Sequence, residues 1–314
     1  MLTFGPVPSR RLGRSLGINN IPPKTCTYSC IYCQVGRTDR MTCTRQEFYP
    51  PTDILDSVHQ RLADIQETDT PCDYATFVPD GEPTLDMRLG ESIQLLHPLA
   101  CKIAVITNAS LLWDEGVRSQ LRQADWVSVK IDSVQDATWR RINRPHKKLH
   151  MNTVLKGIDL FSHDFPGTLV TETMLVRDVN DDEEGIEQIG RFLERISPAC
   201  SYLSIPMRPP AEEWVHAPRE AELNRAYQIL ATHVDRVEYL IDYEGDAFHV
   251  TSRVEEDLLD ISAVHPIRED AVENILDRSG ADLSVVNNLV HRGLMKEVVH
   301  AGHRFYVRRF SPKQ

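Results

Sequence analysis

From about residue 53 to residue 207 the chain alternates between two hydrophobic periods. Residues 53–65 and 152–164 repeat their apolar positions at the three-to-four-residue spacing of amphipathic helices, the second with Asn152 as its expected N-cap. Between such helices lie short apolar runs typical of buried strands, near residues 75, 103, 127, 170 and 202, and a first strand is expected at 15–21. This alternation predicts an α/β fold of about six βαβ units around a parallel sheet, short of an eight-stranded barrel.

The pattern changes after residue 210. A proline-rich stretch, a helix at 219–234 and strands at 236–242 and 247–253 suggest a linker or accessory α/β segment over 211–250. Residues 251–314 show three helical patterns and then alternating strands around Ala301-Gly302, which is typical of a β-hairpin. That order predicts a winged helix-turn-helix. The expected domains are therefore 1–210, 211–250 and 251–314.

Composition and charge narrow the function classes. Hydrophobic residues make up 41% of the chain and charged residues 26%, which are globular proportions. Without a long apolar run or a signal-peptide pattern, the sequence predicts a cytoplasmic protein with no membrane segment. The net charge of −11 argues against a protein that binds nucleic acid over its whole surface. Residues 291–314 are an exception, because they carry six Lys or Arg and one acid.

Three cysteines are crowded into the stretch "TCTYSCIYCQVG", as Cys26, Cys30 and Cys33 in the spacing C-x3-C-x2-C. A structural zinc site would need a fourth ligand from elsewhere, such as Cys43 or a histidine. Three unrelated buried cysteines are a second alternative. An iron–sulfur cluster is the third, because short cysteine runs of this kind supply its thiolates.

The spacing, with the aromatic Tyr32 just before Cys33, resembles the hallmark of the radical S-adenosylmethionine (SAM) superfamily. The resemblance implies a partial (βα)6 TIM-like barrel in which three cysteines hold a 4Fe-4S cluster and the fourth iron binds SAM. It also implies an enzyme that cleaves SAM to a 5′-deoxyadenosyl radical, which abstracts hydrogen from a substrate. A low-potential electron donor, ferredoxin or flavodoxin, is the implied partner.

Further motifs lie where that family has its SAM contacts. "DGEP" resembles the family's GGEP motif, in which glycine allows close approach to SAM and the glutamate accepts from its ammonium group. "ITN" and "VKID" resemble polar sites at the ends of the third and fourth strands, the latter near the SAM ribose. The expected SAM-site residues are Tyr32, Gly81, Glu82, Pro83, Asn108, Lys130 and Asp132. A common turn, a loop cap and a plain ion pair are the structural alternatives, and no catalytic residue is assigned.

A second set of polar positions is expected inside the barrel. Glu172, Met174 and Arg208 would face the interior and touch substrate, although core or surface placement would explain them equally well.

Two segments resemble a narrower group. "FGPVPSRRLGRSLGI" and "RRINRPH" are similar to iron–sulfur oxidoreductases related to the wybutosine tRNA-modifying radical enzymes. The chain departs from those enzymes, because no cysteine precedes Cys26 to build their second cluster and no flavodoxin domain is evident. The substrate stays open between an RNA base, a peptide and a metabolite.

The alternative function is an iron–sulfur redox sensor that binds DNA through the winged helix and catalyses nothing. The third helix of that unit offers Asn287, Asn288, His291 and Arg292 to nucleic acid, but the unit could equally bind a peptide or cover its own barrel. A sensor would have no use for Glu82, Asn108 and Lys130 at successive strand ends.

Overall fold

The structure, a computed structural model, describes residues 2–66, 72–241, 253–264 and 266–309. The chain begins with an antiparallel hairpin, followed by the long loop that carries the three cysteines. These elements are β1 (Thr3–Ser9), β2 (Gly13–Ile18), β3 (Thr25–Cys26), β4 (Arg40–Met41) and α1 (Pro51–Gln66).

Strands and helices then alternate through the middle of the chain, as the hydrophobic periods predict. In order they are β5 (Tyr74–Phe77), a 3₁₀ turn (Pro83–Leu85), α2 (Leu89–Leu96), β6 (Lys102–Thr107), α3 (Glu115–Leu121), β7 (Trp126–Lys130), α4 (Asp136–Asn143), α5 (Met151–Asp164), β8 (Thr168–Met174), α6 (Glu183–Ile196), β9 (Cys200–Ser204), α7 (Glu220–Leu230) and β10 (Val237–Leu240). The expected cap at Asn152 is wrong, because α5 begins one residue earlier and His150 occupies the N-cap position without a side-chain hydrogen bond.

One eight-stranded sheet runs through these elements in the order β1-β2-β5-β6-β7-β8-β9-β10. Every neighbouring pair from β2 onward is parallel, and β1 pairs antiparallel with β2 at the edge. The six expected strands are β2 and β5 to β9, so the curled half-barrel sheet of the prediction is confirmed. β10 adds a further parallel strand within the segment 211–250. The hydrophobic pattern did not predict β1, whose two prolines are tolerated at a sheet edge.

The two faces of the sheet bury different side chains. On β6, Ile103 and Val105 pack with the helices in the main core, whereas Ala104 joins Trp126 and Tyr202 in a smaller cluster on the other face. This follows from the two-residue period of a strand, which sends neighbouring side chains to opposite faces. The second face of the sheet therefore packs apart from the main core that the helices share.

The C-terminal residues form a unit with its own apolar core. Its elements are α8 (Val254–Val264), β11 (Ile267–Arg268), α9 (Glu269–Ser279), α10 (Ser284–His291), β12 (Met295–His300) and β13 (His303–Arg308). The strands make an antiparallel sheet in the order β11-β13-β12, and the hairpin turns at Ala301-Gly302 as expected. The strand predicted at 247–253 lies outside the described residues, apart from Arg253.

A buried ion pair joins this unit to the barrel. Arg61 of α1 bonds to Asp257 of α8 at 2.9 Å, and its Nε donates to the Gly5 carbonyl of β1 at 2.7 Å. The two charged side chains are 5% and 2% exposed. Within the part of the chain that the structure describes, no helix has the length and apolar character needed to cross a bilayer.

We expect Asp257→Leu to lower the free energy of unfolding by about 3 kcal/mol, because it removes the carboxylate from the buried Arg61 guanidinium. Urea denaturation followed by circular dichroism would measure this change. Glu255→Leu is the matched control on the same helix, since its ion pair with Arg292 is exposed, and it should cost less than about 1 kcal/mol. Equal effects of the two variants would contradict the assigned importance of the buried pair.

Candidate functional site

The three cysteines lie in the loop that follows β2. Cys26 ends β3, which pairs in parallel with β4 farther along the same loop. The Cys33 amide donates to the Cys30 carbonyl at 3.1 Å, and the Gly36 amide donates to the Cys33 carbonyl at 3.0 Å. These turns bring the second and third cysteines together at the carboxyl end of the sheet. All three are free and partly exposed.

Two asparagine side chains donate to the cysteine sulfurs. Asn108 Nδ2, from the loop after β6, lies 3.5 Å from Cys26 Sγ, and Asn143 Nδ2, at the end of α4, lies 3.4 Å from Cys30 Sγ. Such donors stabilise thiolate charge, and hydrogen bonds to sulfur adjust the potential of an iron–sulfur cluster. The expectation that Asn108 lies at the site agrees with this geometry, although Asn108 contacts a cysteine here. Asn143 was missed because its distance in sequence from the loop gives no signal.

The thiols need a positive partner to ionise. Loss of solvent raises the pKa of Cys26, and the Glu82 carboxylate raises it further. Burial, with the charge of Asp132, raises the pKa of Cys30 to about 12, and burial also raises the pKa of Cys33. Iron bound by thiolates would supply the missing positive charge, so this donor set suits a cationic cluster.

The cysteines do not converge on a single point. Among the described residues, no three His, Cys, Asp or Glu side chains are placed to hold one metal ion. A 4Fe-4S cube offers a separate iron to each of three thiolates, so its ligands need no common centre.

Glu82 is fully buried and saturated by protein donors. Its Oε1 accepts from the Thr84 amide and hydroxyl and from the Thr107 hydroxyl at 2.6 Å, and its Oε2 accepts from the Asn108 amide at 2.8 Å. Burial raises the pKa of Glu82, and these hydrogen bonds counteract the rise. Glu82 therefore fastens the loop after β5 to the loop after β6. Its contact with a SAM ammonium group stays a prediction.

Gly81 is required by its contact with the cysteine loop. A Cβ built on it would lie 1.9 Å from the Thr25 carbonyl oxygen, beside the Glu82 amide that donates to the same oxygen at 3.1 Å. Pro83 then starts the 3₁₀ turn. Close approach to Thr25, rather than to SAM alone, thus explains the glycine of the "DGEP" motif.

Asp80, the first residue of the same motif, has an unpaired buried oxygen. The residue is 4% exposed, and its Oδ1 has no hydrogen-bond partner in the described structure. Burial raises the pKa of Asp80 to about 8, although the charges of Arg308 and Lys24 oppose the rise. A bound ammonium group would supply the missing donor and charge, which fits SAM. The sequence analysis did not single out Asp80, since a glycine is usual there in the motif it resembles.

Tyr32, Lys130 and Asp132 lie together beside the cysteines. The Tyr32 hydroxyl donates to Asp132, and the Lys130 ammonium lies 4.9 Å from the centre of the Tyr32 ring. Asp132 also accepts from Asn143 Nδ2 at 2.7 Å and from the Met174 amide at 2.8 Å. Lys130 is ion-paired, because its Nζ lies 3.0 Å from Glu172. Their contact with the SAM ribose stays a prediction.

The interior of the half barrel has a polar layer centred on Glu172. Burial alone would raise the pKa of this carboxyl, but Lys130 and Arg11 hold it at about 2. Arg11, from the β1–β2 turn, bonds to Glu172 at 2.7 Å and lies between the rings of Trp126 and Tyr202. Arg11 was not expected, because only the curled sheet brings the turn to β8.

Met174 and Arg208, the other two positions expected inside the barrel, lie near the cysteine loop. Met174 is partly buried near Tyr32, in a small apolar cluster. Arg208 bonds to the Gln34 side chain at 2.8 Å, next to Cys33 in sequence. The positions expected on the C-terminal unit are on or just after α10, away from the cysteines in sequence.

We expect Gly81→Ala to impair cluster binding, because the added Cβ would overlap the Thr25 carbonyl and displace the strand that carries Cys26. Such overpacking typically costs about 1–3 kcal/mol. Iron and sulfide content after anaerobic reconstitution would measure the effect. Gly116→Ala is the control, since the nearest atom to its Cβ is a side-chain oxygen of Asp114 at 3.2 Å. Full iron content in Gly81→Ala would contradict the explanation.

Comparison with known proteins places this site in a family. The model of the radical SAM superfamily matches residues 20–189. UPF0026 protein MJ1312 of Methanocaldococcus jannaschii is 40% identical over 99% of this chain and 97% of its own length. UPF0026 protein slr1464 of Synechocystis is 38% identical over 66% of this chain and 76% of its own length. An S-adenosylmethionine-dependent nucleotide dehydratase of Flammeovirga pacifica is 29% identical over 34% of this chain and 38% of its own.

Solved structures share the fold. TYW1 with a lysine-pyruvate adduct bound has a TM-score of 0.53 at 18% identity, over 70% of this chain and 74% of that one. A radical SAM methyltransferase from Sphaerobacter thermophilus has a TM-score of 0.54 at 15% identity, over 72% and 66%. The chain belongs to the radical SAM superfamily and is an enzyme whose cofactors are a 4Fe-4S cluster and S-adenosylmethionine.

Proposed function

We propose that the enzyme uses one cluster, held by Cys26, Cys30 and Cys33, to act on a substrate bound inside the half barrel. When bound, cluster and SAM together supply reductive cleavage of SAM and a 5′-deoxyadenosyl radical that abstracts hydrogen. The observation that carries the proposal is the meeting of loops from β2, β5 and β6 at Glu82, with the cysteines beside them. An external low-potential donor, ferredoxin or flavodoxin, would deliver the electron.

The residues around the cysteines divide the work of binding. Asn108 and Asn143 donate to two sulfurs and stabilise their thiolate forms. Asp80 offers a buried acceptor to the SAM ammonium group, and Gly81, Glu82 and Pro83 hold that acceptor against the cysteine loop. Asp80, Glu82 and Asp132 are buried, and exclusion of water around them would protect a reactive species from side reactions.

The polar layer below the cysteines suits a polar substrate. Glu172 stays ionised between Arg11 and Lys130, and Ser204 donates to it at 3.0 Å. Lys130 also faces Tyr32, so the layer reaches the cluster loop directly. An RNA base, a peptide side chain and a small metabolite each carry groups that such a layer can bind.

We also propose that the C-terminal unit, expected at 251–314 with 211–250 as the connecting segment, is a winged helix. Its three helices and antiparallel sheet support this. Among the three roles open to it, packing on its own barrel is favoured by the Arg61–Asp257 pair and by the 3.0 Å contact of His300 Nε2 with the Pro206 carbonyl. Nucleic-acid binding is less favoured, because Arg292 and Arg304 are paired with acids of the same unit.

Cys30→Ala is expected to abolish SAM cleavage, because it removes one of three thiolates that hold the cluster. The measurement is 5′-deoxyadenosine, by chromatography, after anaerobic reconstitution with iron and sulfide and addition of SAM and dithionite. Cys43→Ala is the matched control and should retain product, since Cys43 lies in the same loop but outside the three-cysteine motif.

Two outcomes would oppose the proposal. A normal yield of 5′-deoxyadenosine from Cys30→Ala would show that the reaction does not need a cluster held by Cys30. A bound cluster with no product in the wild-type protein would favour the redox sensor instead, and DNA binding by the full chain would then be measured.

A further inference from the structure

Residues 140–150 form a strongly basic segment in an acidic chain. The sequence "RRINRPHKKLH" holds five Lys or Arg and no Asp or Glu, although the whole chain carries −11. A local charge of this density attracts anionic partners despite the opposite charge of the rest of the molecule. The proposed cleavage of SAM uses Asn143 of this segment, which donates to Cys30, but none of its charged side chains.

This segment lies directly on the cysteine loop. The Ser29 amide donates to the Asn143 carbonyl at 3.0 Å, the Ile31 amide to the Ile142 carbonyl at 2.9 Å, and the His146 amide to the Thr27 carbonyl at 2.8 Å. The backbone of the basic segment is therefore bonded to the residues between Cys26 and Cys33. The charged side chains of the segment are therefore carried by residues next to the cysteine loop.

Two lysines of this segment are available to a partner. Lys147 and Lys148 are exposed, and neither has a carboxylate within 4.0 Å in the described residues. Arg144 and Arg37 share one acid, Glu212. We call Arg37, Arg141, Arg144, Lys147 and Lys148 the basic patch. Glu212 pairs with Arg37 and Arg144, and the Asp178 carbonyl accepts from Arg141, so with these two acids the net charge is +3.

An exposed aromatic side chain adjoins the basic patch. Trp113 is 47% exposed and lines a surface cavity of about 190 Å³ together with Lys148 and His150. Protein interfaces combine such an aromatic contact with a charged rim.

We propose that the basic patch is the docking surface for a small acidic protein that carries one electron to the cluster. The inference rests on the proposed function, which requires an electron from outside. In the transfer the carrier is oxidised by one electron and the cluster is reduced by one, with no bond formed and no proton moved. Transfer rates fall steeply with distance, so the partner must dock beside the cysteine loop.

The position of the patch favours a carrier over an RNA partner. A substrate must reach the interior polar layer around Glu172, whereas an electron needs only a short path through the loop itself. The backbone bonds from residues 142–146 to residues 27–31 supply that path. Electrostatic complementarity of this kind raises association rates and gives the strong salt dependence typical of redox encounters.

The test compares two electron sources on full-length, cluster-loaded enzyme. Dithionite, a small reductant, needs no docking surface, whereas reduced ferredoxin does. We expect Lys147→Glu/Lys148→Glu to lower ferredoxin-driven formation of 5′-deoxyadenosine about tenfold at low salt. The dithionite-driven rate should stay within about twofold of the wild type, because neither lysine touches the cysteines or the SAM site.

The matched control reverses two charges at the opposite end of the sheet. Arg14→Glu/Lys102→Glu changes exposed residues at the amino ends of β2 and β6. It should keep the ferredoxin-driven rate. Equal loss in both double variants, or no loss in the lysine pair, would overturn the docking assignment.

Binding is measured separately, so that the two proposals can fail independently. Isothermal titration of ferredoxin into cluster-loaded enzyme should show weaker binding for Lys147→Glu/Lys148→Glu only. If the wild-type enzyme formed no 5′-deoxyadenosine with dithionite, the proposed function would be wrong. The titration would still test whether ferredoxin binds the basic patch. Loss of poly(U) RNA binding in that variant, with unchanged ferredoxin binding and rate, would overturn the inference in favour of an RNA surface.

Discussion

The buried carboxylate of Glu82 is the interaction on which the site depends. Its two oxygens accept from the loops after β5 and β6, and its own amide donates to Thr25 in the cysteine loop. A carboxylate without solvent is stable only when such donors surround it. Three loops, distant in sequence, are thereby fixed to one another before any cofactor binds. Gly81 makes this possible, because no side chain fits between it and Thr25.

Charge is arranged in layers around this centre. Acids lie nearest the cysteines, where Asp80, Glu82 and Asp132 oppose ionisation of the thiols. Below them Glu172 is held ionised by Arg11 and Lys130. Outside the loop the order reverses, and the basic segment 140–150 covers it. The sulfonium and ammonium charges of SAM suit the inner acids, and an anionic partner suits the outer bases. The same loop thus separates two electrostatic environments.

The C-terminal unit is attached to the barrel by specific polar contacts. Its core is its own, yet α8 reaches α1 through the buried Arg61–Asp257 pair, and β12 reaches the loop after β9 through His300. The unit therefore contacts the β1–β2 hairpin at one edge of the sheet, through α8, and the loop after β9 near the other edge, through His300.

The sequence by itself determined the six parallel strands and the helices between them, and it singled out the three-cysteine motif, because these depend on local periodicity and spacing. It could not determine Arg11, Asn143 or Asp80, whose roles arise from contacts between residues far apart in the chain. Nor could it identify the protein groups that Glu82 and Lys130 contact, since a polar residue at a strand end looks the same in sequence whichever partner it binds. Only tertiary structure decided these, because hydrogen-bond partners and solvent exclusion are set by which loops the curled sheet brings together.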